Sequence, residues 1–133
     1  LFKKGMPMGD TAQEWFRQAD YDMKSAGIML DNRQYVHAVF MCHLAIEKAL
    51  KGLYSRKLKE VPPKTHNLVF LAEKLKLALP ENLSDFMFTL TGVSVQTRYP
   101  DEIEKIRKDY NKAKTKALLE KGKETLKWLK ARL

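Results

Sequence analysis

The sequence of 133 residues holds one cysteine, Cys42, so no internal disulfide forms and no zinc-site spacing exists. That excludes a disulfide scaffold and favours a reducing compartment, with the cytoplasm as the expectation. Glycine (6) and proline (5) are scarce and no low-complexity tract occurs, which rules out a collagen-like chain, a solenoid and a disordered tail. No stretch approaches the roughly 18 consecutive apolar residues of a membrane span. The richest run, Tyr35 to Ile46, is interrupted by His37 and His43. Glu-x-x-His, His-Glu-x-x-His, a phosphate loop and a dinucleotide glycine motif are all missing, so bundle metal sites and the commonest nucleotide loops have no sequence signature. Residues 1–9 begin with lysines but lack a following apolar region, so they do not read as a secretory signal. They are expected to be a flexible leader, with Met6 or Met8 as a candidate start, ahead of one domain over residues 10–133.

What is abundant is positive charge. Twenty-five Lys and Arg against 16 Asp and Glu leave a formal net charge of +9. Residues 101–133 carry 11 basic and 6 acidic side chains, more than half of the excess. Such a bias suits a polyanionic partner, nucleotide or RNA more than membrane. A solvated lysine-rich helix face is the alternative reading.

Apolar positions recur at steps of three and four. Ala12, Trp15, Phe16, Ala19, Met23, Ala26 and Leu30 form one helical stripe, with Asp10 or Thr11 as cap. A second helix, about Arg33 to Arg56, is apolar nearly all round in its first half and therefore central. Pro62 and Pro63 end that element. Thr65 is expected to cap a third helix through Leu68, Leu71, Ala72, Leu75 and Leu79, stopped by Pro80. A fourth opens at Asn82 or Ser84, with Gly92 a site of close approach or weakness. The stretch Arg98 to Glu102 breaks the pattern, and a fifth helix runs from about Asn111 to Arg132 along a seam of Leu118, Gly122, Leu126, Leu129 and Leu133. The expected architecture is an all-α, up-and-down helical bundle of four to five helices. Phe88, Met29 and Trp128 are left over as exposed apolar residues, which suits pairing with a second copy or a partner.

One polar row crosses the apolar second helix. His43, Glu47 and Lys51 stand at i, i+4 and i+8 on one face, where Glu47 can bond His43 and pair with Lys51. A row of this kind offers an anionic ligand a lysine and an imidazole that switches near neutral pH. It reads equally as a core histidine beside an ordinary helix ion pair. His66 stands at the start of the third helix, where free N–H groups favour an anion. Arg98, beside Tyr99, can grip a phosphate and stack on a base, or satisfy terminal carbonyls. Cys42, deep in the apolar segment, reads as an inert thiol.

Taken in order, the block His43-Leu-Ala-Ile-Glu47-Lys48-Ala-Leu-Lys51, the turn Pro63-Lys-Thr-His66-Asn-Leu68 and the triplet Arg98-Tyr99-Pro100 resemble the HEPN family, the higher eukaryotes and prokaryotes nucleotide-binding domain. The likeness covers about Asp10 to Leu133. It implies a four- or five-helix bundle, usually dimeric, often encoded beside a minimal nucleotidyltransferase. It further implies binding roles for His43, Glu47, Lys48, Lys51, His66, Arg98 and Tyr99, with Lys51 and Arg98 on phosphates. Many relatives are metal-independent ribonucleases, some of them toxins of toxin–antitoxin pairs, that use Arg-x4–6-His. Here no histidine follows Arg98 or Arg107, and Arg33 to His37 spans only three intervening residues. The expectation is a non-catalytic helical module that binds a nucleotide or acts with a partner minimal nucleotidyltransferase, as a homodimer without cofactor or metal. The alternatives are a ribonuclease using His43 or His66, and a purely structural partner subunit.

Overall fold

The computed structural model describes residues 8–133, with side chains from Thr11 onward. Six α-helices are present there: α1 Met8–Asp31, α2 Tyr35–Leu58, α3 Leu68–Lys74, α4 Glu81–Gln96, α5 Pro100–Asp109 and α6 Lys112–Lys130. The all-α architecture agrees with the sequence expectation, and α5 is the addition. Residues 1–7 of the expected leader lie outside the described residues. Helix α1 starts at Met8, ahead of the expected caps Asp10 and Thr11, and nothing is described of the Asp10 side chain.

Alanines explain how α1 and α2 lie together. Ala12, Ala19 and Ala26, two turns apart, are fully buried, as are Ala38, Ala45 and Ala49 of α2. Small side chains at this spacing let two helices approach along one seam. The turn between them is short. Arg33 takes the left-handed conformation at φ 61, and the Asn32 side-chain amide donates to the Ile28 carbonyl at 2.8 Å. Helix α2 then packs against all five other helices, which is why its sequence is apolar nearly all round. Ile46, Leu50 and Leu53 are fully buried in the middle of it.

Local chemistry sets several boundaries differently from the sequence reading. Asn67, not Thr65, caps α3, its Oδ1 accepting from the Phe70 N–H at 3.0 Å. Thr65 instead accepts from the Asn67 N–H, at 3.2 Å, in the turn before the helix. Helix α3 stops at Lys74 rather than reaching Leu79, because Lys76 turns left-handed at φ 53 and the Leu77 N–H donates back to the Ala72 carbonyl. Helix α4 starts at Glu81, ahead of Asn82 and Ser84, with Pro80 as its N-cap. The supposed break after Arg98 is a helix start. Pro100 occupies the first turn of α5, Asp101 and Glu102 follow it, and Arg107 and Lys108 close the last turn. Asn111 caps α6, its side chain accepting from the Lys114 N–H at 2.8 Å.

Of the three apolar residues expected at the surface, Phe88 is 73 % exposed. Met29 and Trp128 are half-buried against the core, and the Arg132 guanidinium covers the Trp128 ring at 3.4 Å from its centroid.

Two glycines separate by environment. A Cβ on Gly122 would collide with Cys42 Sγ and crowd Met23 Cε, so the absence of a side chain is what lets α6 lie against α2. Gly92 meets nothing within 4 Å, so it is not a close-approach site. Gly92→Ala is therefore expected to stabilise the protein by about 0.5–1 kcal/mol through helix propensity. Gly122→Ala is expected to destabilise it by about 1–2 kcal/mol, as overpacking outweighs the same propensity gain. Urea unfolding of the two variants checks the opposite signs, and equal shifts would refute the packing assignment.

Candidate functional site

The polar row on α2 becomes a network through the loop that follows the two prolines. Glu47 is buried, 5 % exposed, and each of its oxygens is engaged. Oε2 accepts from Lys51 Nζ at 3.1 Å, and Oε1 accepts from His66 Nδ1 at 2.9 Å. A buried carboxylate needs such partners, because taking the charge from water costs several kcal/mol unless it is paired and hydrogen-bonded.

His43 plays a different part from the one its spacing suggests. Its Nε2–H donates to the His66 backbone carbonyl at 2.9 Å, since a carbonyl oxygen can only accept. Nδ1 stands 3.8 Å from Glu47 Oε1, beyond hydrogen-bond reach. Burial drives the His43 pKa from 6.5 down to about 4, with the nearby Glu47 charge only partly opposing it. The ring is therefore neutral at pH 7 and pins the loop in place. It is not the charge switch the sequence allows.

His66 is the exposed member. Its Nδ1–H points to Glu47, which leaves Nε2 as the other ring nitrogen, and its side chain is 56 % exposed. A carboxylate that fixes one imidazole nitrogen orients the other for contact with a ligand. His66 and Arg98 line the same two cavities. One, of about 480 Å³, is walled by Val36, Phe40, Leu44 and Ile103, with His37, His43 and Thr97 also in its lining. The other, of about 170 Å³, is bounded by Asn67, Thr91, Ser94 and Val95. Together they form a cleft with an apolar floor and a polar rim.

Arg98 is held between α4 and α5. Thr97 caps α4, its hydroxyl donating to the Ser94 carbonyl at 2.7 Å, and the Arg98 N–H donates to the Val95 carbonyl at 3.2 Å. No carboxylate among the described residues pairs with the Arg98 side chain. Ser94 Oγ is also buried without a hydrogen-bond partner among them, at the edge of the smaller cavity.

The remaining sequence candidates lie elsewhere. Lys51 is buried against Glu47 and lines neither cavity. Lys48 points to α1, pairing with Asp22 at 2.8 Å. Tyr99, 58 % exposed, follows Arg98 as the N-cap of α5 and lines neither cavity. The apolar surface available to a base comes instead from Phe40 and its neighbours. His37, Phe40, Thr91 and Ser94 were missed by sequence reasoning. Their signal was the spacing: His37, Phe40 and Leu44 share one face of α2, and Thr91, Ser94 and Arg98 continue one face of α4. Cys42 is buried and its thiol is pushed up to about 12, as expected of an inert core sulfur. Among the described residues no helix is long and apolar enough to cross a membrane, and no metal-ligating cluster forms.

The model of the HEPN domain matches residues 12–132. The chain is similar to the crystal structure of TT1696 from Thermus thermophilus, with 25 % identity over 92 % of this chain and 98 % of that one, at a TM-score of 0.78. It shares its fold with ST0689, an archaeal HEPN homologue, at 18 % identity and a TM-score of 0.70, over 91 % of this chain and 96 % of that one. No curated protein matches.

The histidine assignment has a pH consequence. Between pH 6.5 and about 4 the unfolded chain takes up a proton that folded His43 refuses, so stability present above pH 6.5 is lost as pH falls. His43→Gln keeps an N–H donor without the titration. From about pH 7 to about pH 4.5 the wild type is expected to lose about 2 kcal/mol more than this variant in urea unfolding. Equal losses would show that His43 is not the group responsible.

Proposed function

The chain belongs to the HEPN domain family; from that premise and the geometry of the cleft, we propose that it is a helical module binding a nucleotide between α2, the α2–α3 loop and the α4–α5 junction. The observation that carries this reading is Arg98, a guanidinium without a carboxylate partner among the described residues, at the mouth of a cleft floored by Phe40, Leu44 and Ile103. A guanidinium recognises phosphate with paired N–H donors, and an apolar floor accepts the face of a base. Ser94 Oγ supplies a further donor at the small cavity, and His66, oriented by Glu47, reaches the same ligand. Lys51, engaged with Glu47, is not assigned a phosphate contact in this reading, and Arg98 takes that role in the cleft.

A second reading, metal-independent RNA cleavage, is favoured by one specific observation. The Glu47–His66 pair resembles a general base with its orienting carboxylate, next to an arginine able to stabilise charge on a phosphate. His66, rather than His43, would serve as that base. A purely structural subunit, acting with a partner nucleotidyltransferase, is the reading left if no ligand binds.

One set of measurements separates these. Titration calorimetry with AMP, ATP and short RNA is expected to give binding that Arg98→Ala weakens at least about tenfold, in line with loss of a charge-assisted contact. Silence with every ligand overturns the nucleotide reading. Incubation of labelled RNA without metal is expected to leave it intact; cleavage abolished by His66→Ala would establish the enzyme instead.

The homodimer belongs to the same proposal. Phe88 and Val95 stand exposed along α4 at 73 and 52 %, on one face with Gly92 between them, and Tyr99, 58 % exposed, follows at the start of α5. Light scattering is expected to give twice the chain mass, and Phe88→Asp to halve it. A monomeric wild type at working concentration removes this part.

A further inference from the structure

A third cavity adjoins the cleft at the start of α2. Its volume is about 440 Å³, and Arg33, Gln34, Tyr35 and Arg107 line it. Val36, His37 and Ile103 line both this cavity and the larger one of the cleft, so the two adjoin along α2. Arg33 arrives from the α1–α2 turn and Arg107 from α5. The proximity of Ile103 to Val36 brings the second to the first. Two guanidiniums thus border one cavity in which no lining residue is acidic. Arg33 has no carboxylate partner among the described residues. Among the described residues Arg107 pairs only with Glu104, at 3.6 Å, with both side chains largely in solvent. A phosphate readily displaces so loose an ion pair.

We propose that this cavity is a second anion subsite, which takes a further phosphate of the ligand whose first phosphate is held at Arg98. The inference rests on the nucleotide reading and narrows it. From Tyr35 to His43, eight residues along α2, the lining of the two cavities extends about 12 Å at 1.5 Å per residue. The directly linked phosphates of a nucleoside triphosphate stay close together, whereas phosphates separated by a sugar reach further, and a short single strand covers the whole length. The apolar stretch between, Val36 and Phe40 on α2 with Ile103 opposite, faces the segment that carries bases. The shared chemistry is a ligand with two phosphates set apart, from an oligonucleotide or from a nucleoside 3′,5′-bisphosphate.

Three probes distinguish the outcomes by calorimetry: AMP, adenosine 3′,5′-bisphosphate, and a 5′-phosphorylated triadenylate with 2′-O-methyl riboses to prevent cleavage. The triadenylate is expected to bind at least about tenfold tighter than AMP, in keeping with added charge-assisted contacts. That ratio, measured within each protein, should fall close to one in Arg33→Ala/Arg107→Ala, while Arg98→Ala weakens binding of both probes. The same excess with the bisphosphate, lost in the same double variant, supports the subsite and assigns a mononucleotide ligand. AMP binding with no triadenylate excess, or an excess that survives the double substitution, overturns the second subsite and leaves the nucleotide reading standing. Failure of all three probes removes both. Both arginines are exposed, so circular dichroism of the double variant is expected to match the wild type.

Discussion

A carboxylate inside an apolar helix is the constraint around which this molecule is arranged. Glu47 sits in the most buried part of α2, where an unpaired charge would be severely penalised. Lys51, one turn on, supplies the countercharge from the same helix. His66 supplies the second partner from a loop 19 residues away in sequence, and thereby ties that loop to the core. His43, one turn back, adds a bond to the loop backbone. The loop places Asn67 to cap α3, and with it the rim of the cleft opposite Arg98. Removing the carboxylate would release the loop as well as orphan a buried lysine.

The consequence is a division among the positive charges. Lys48 and Lys51 serve the fold, one joined to α1 through Asp22 and the other to Glu47. Lys130 also reaches α1, at 2.5 Å from Asp20. Arg98 and Arg33, by contrast, border cavities without a carboxylate partner among the described residues. The large basic excess of the last quarter of the chain is spread over α5 and α6 and lines none of the three cavities, Arg107 of α5 excepted. Net charge therefore described the surface, while the cavities are bordered by three particular arginines, Arg33, Arg98 and Arg107.

Where sequence reasoning fell short, competing local effects account for it. Helix α5 carries only Ile103 and Ile106 as apolar contacts, too few to show a period, although its proline start and its charge order along the helix are both legible in the sequence. Helix α3 has an apolar stripe that runs past its end, because the backbone turns at Lys76 while Leu75 still reaches the core. Thr65 and Asn67 are both competent caps, and the chain uses one for the turn and the other for the helix. For the site, Glu47, His66 and Arg98 were legible as residues of interest. That Lys51 is buried against Glu47 was not legible, since a lysine at i+4 from a glutamate looks the same whether it is buried or free.

By itself the sequence determined the helical class, the central position of α2, and the alignment of His43, Glu47 and Lys51, because a 3.6-residue period puts such positions on one face wherever the helix lies. Tertiary structure decided what each of those groups does. Burial made His43 neutral, a contact across the loop turned His66 into the oriented imidazole, and the meeting of α2 with α5 set two cavities side by side. Ionisation, pairing and access depend on neighbours distant in the chain, and the backbone period carries no information about them.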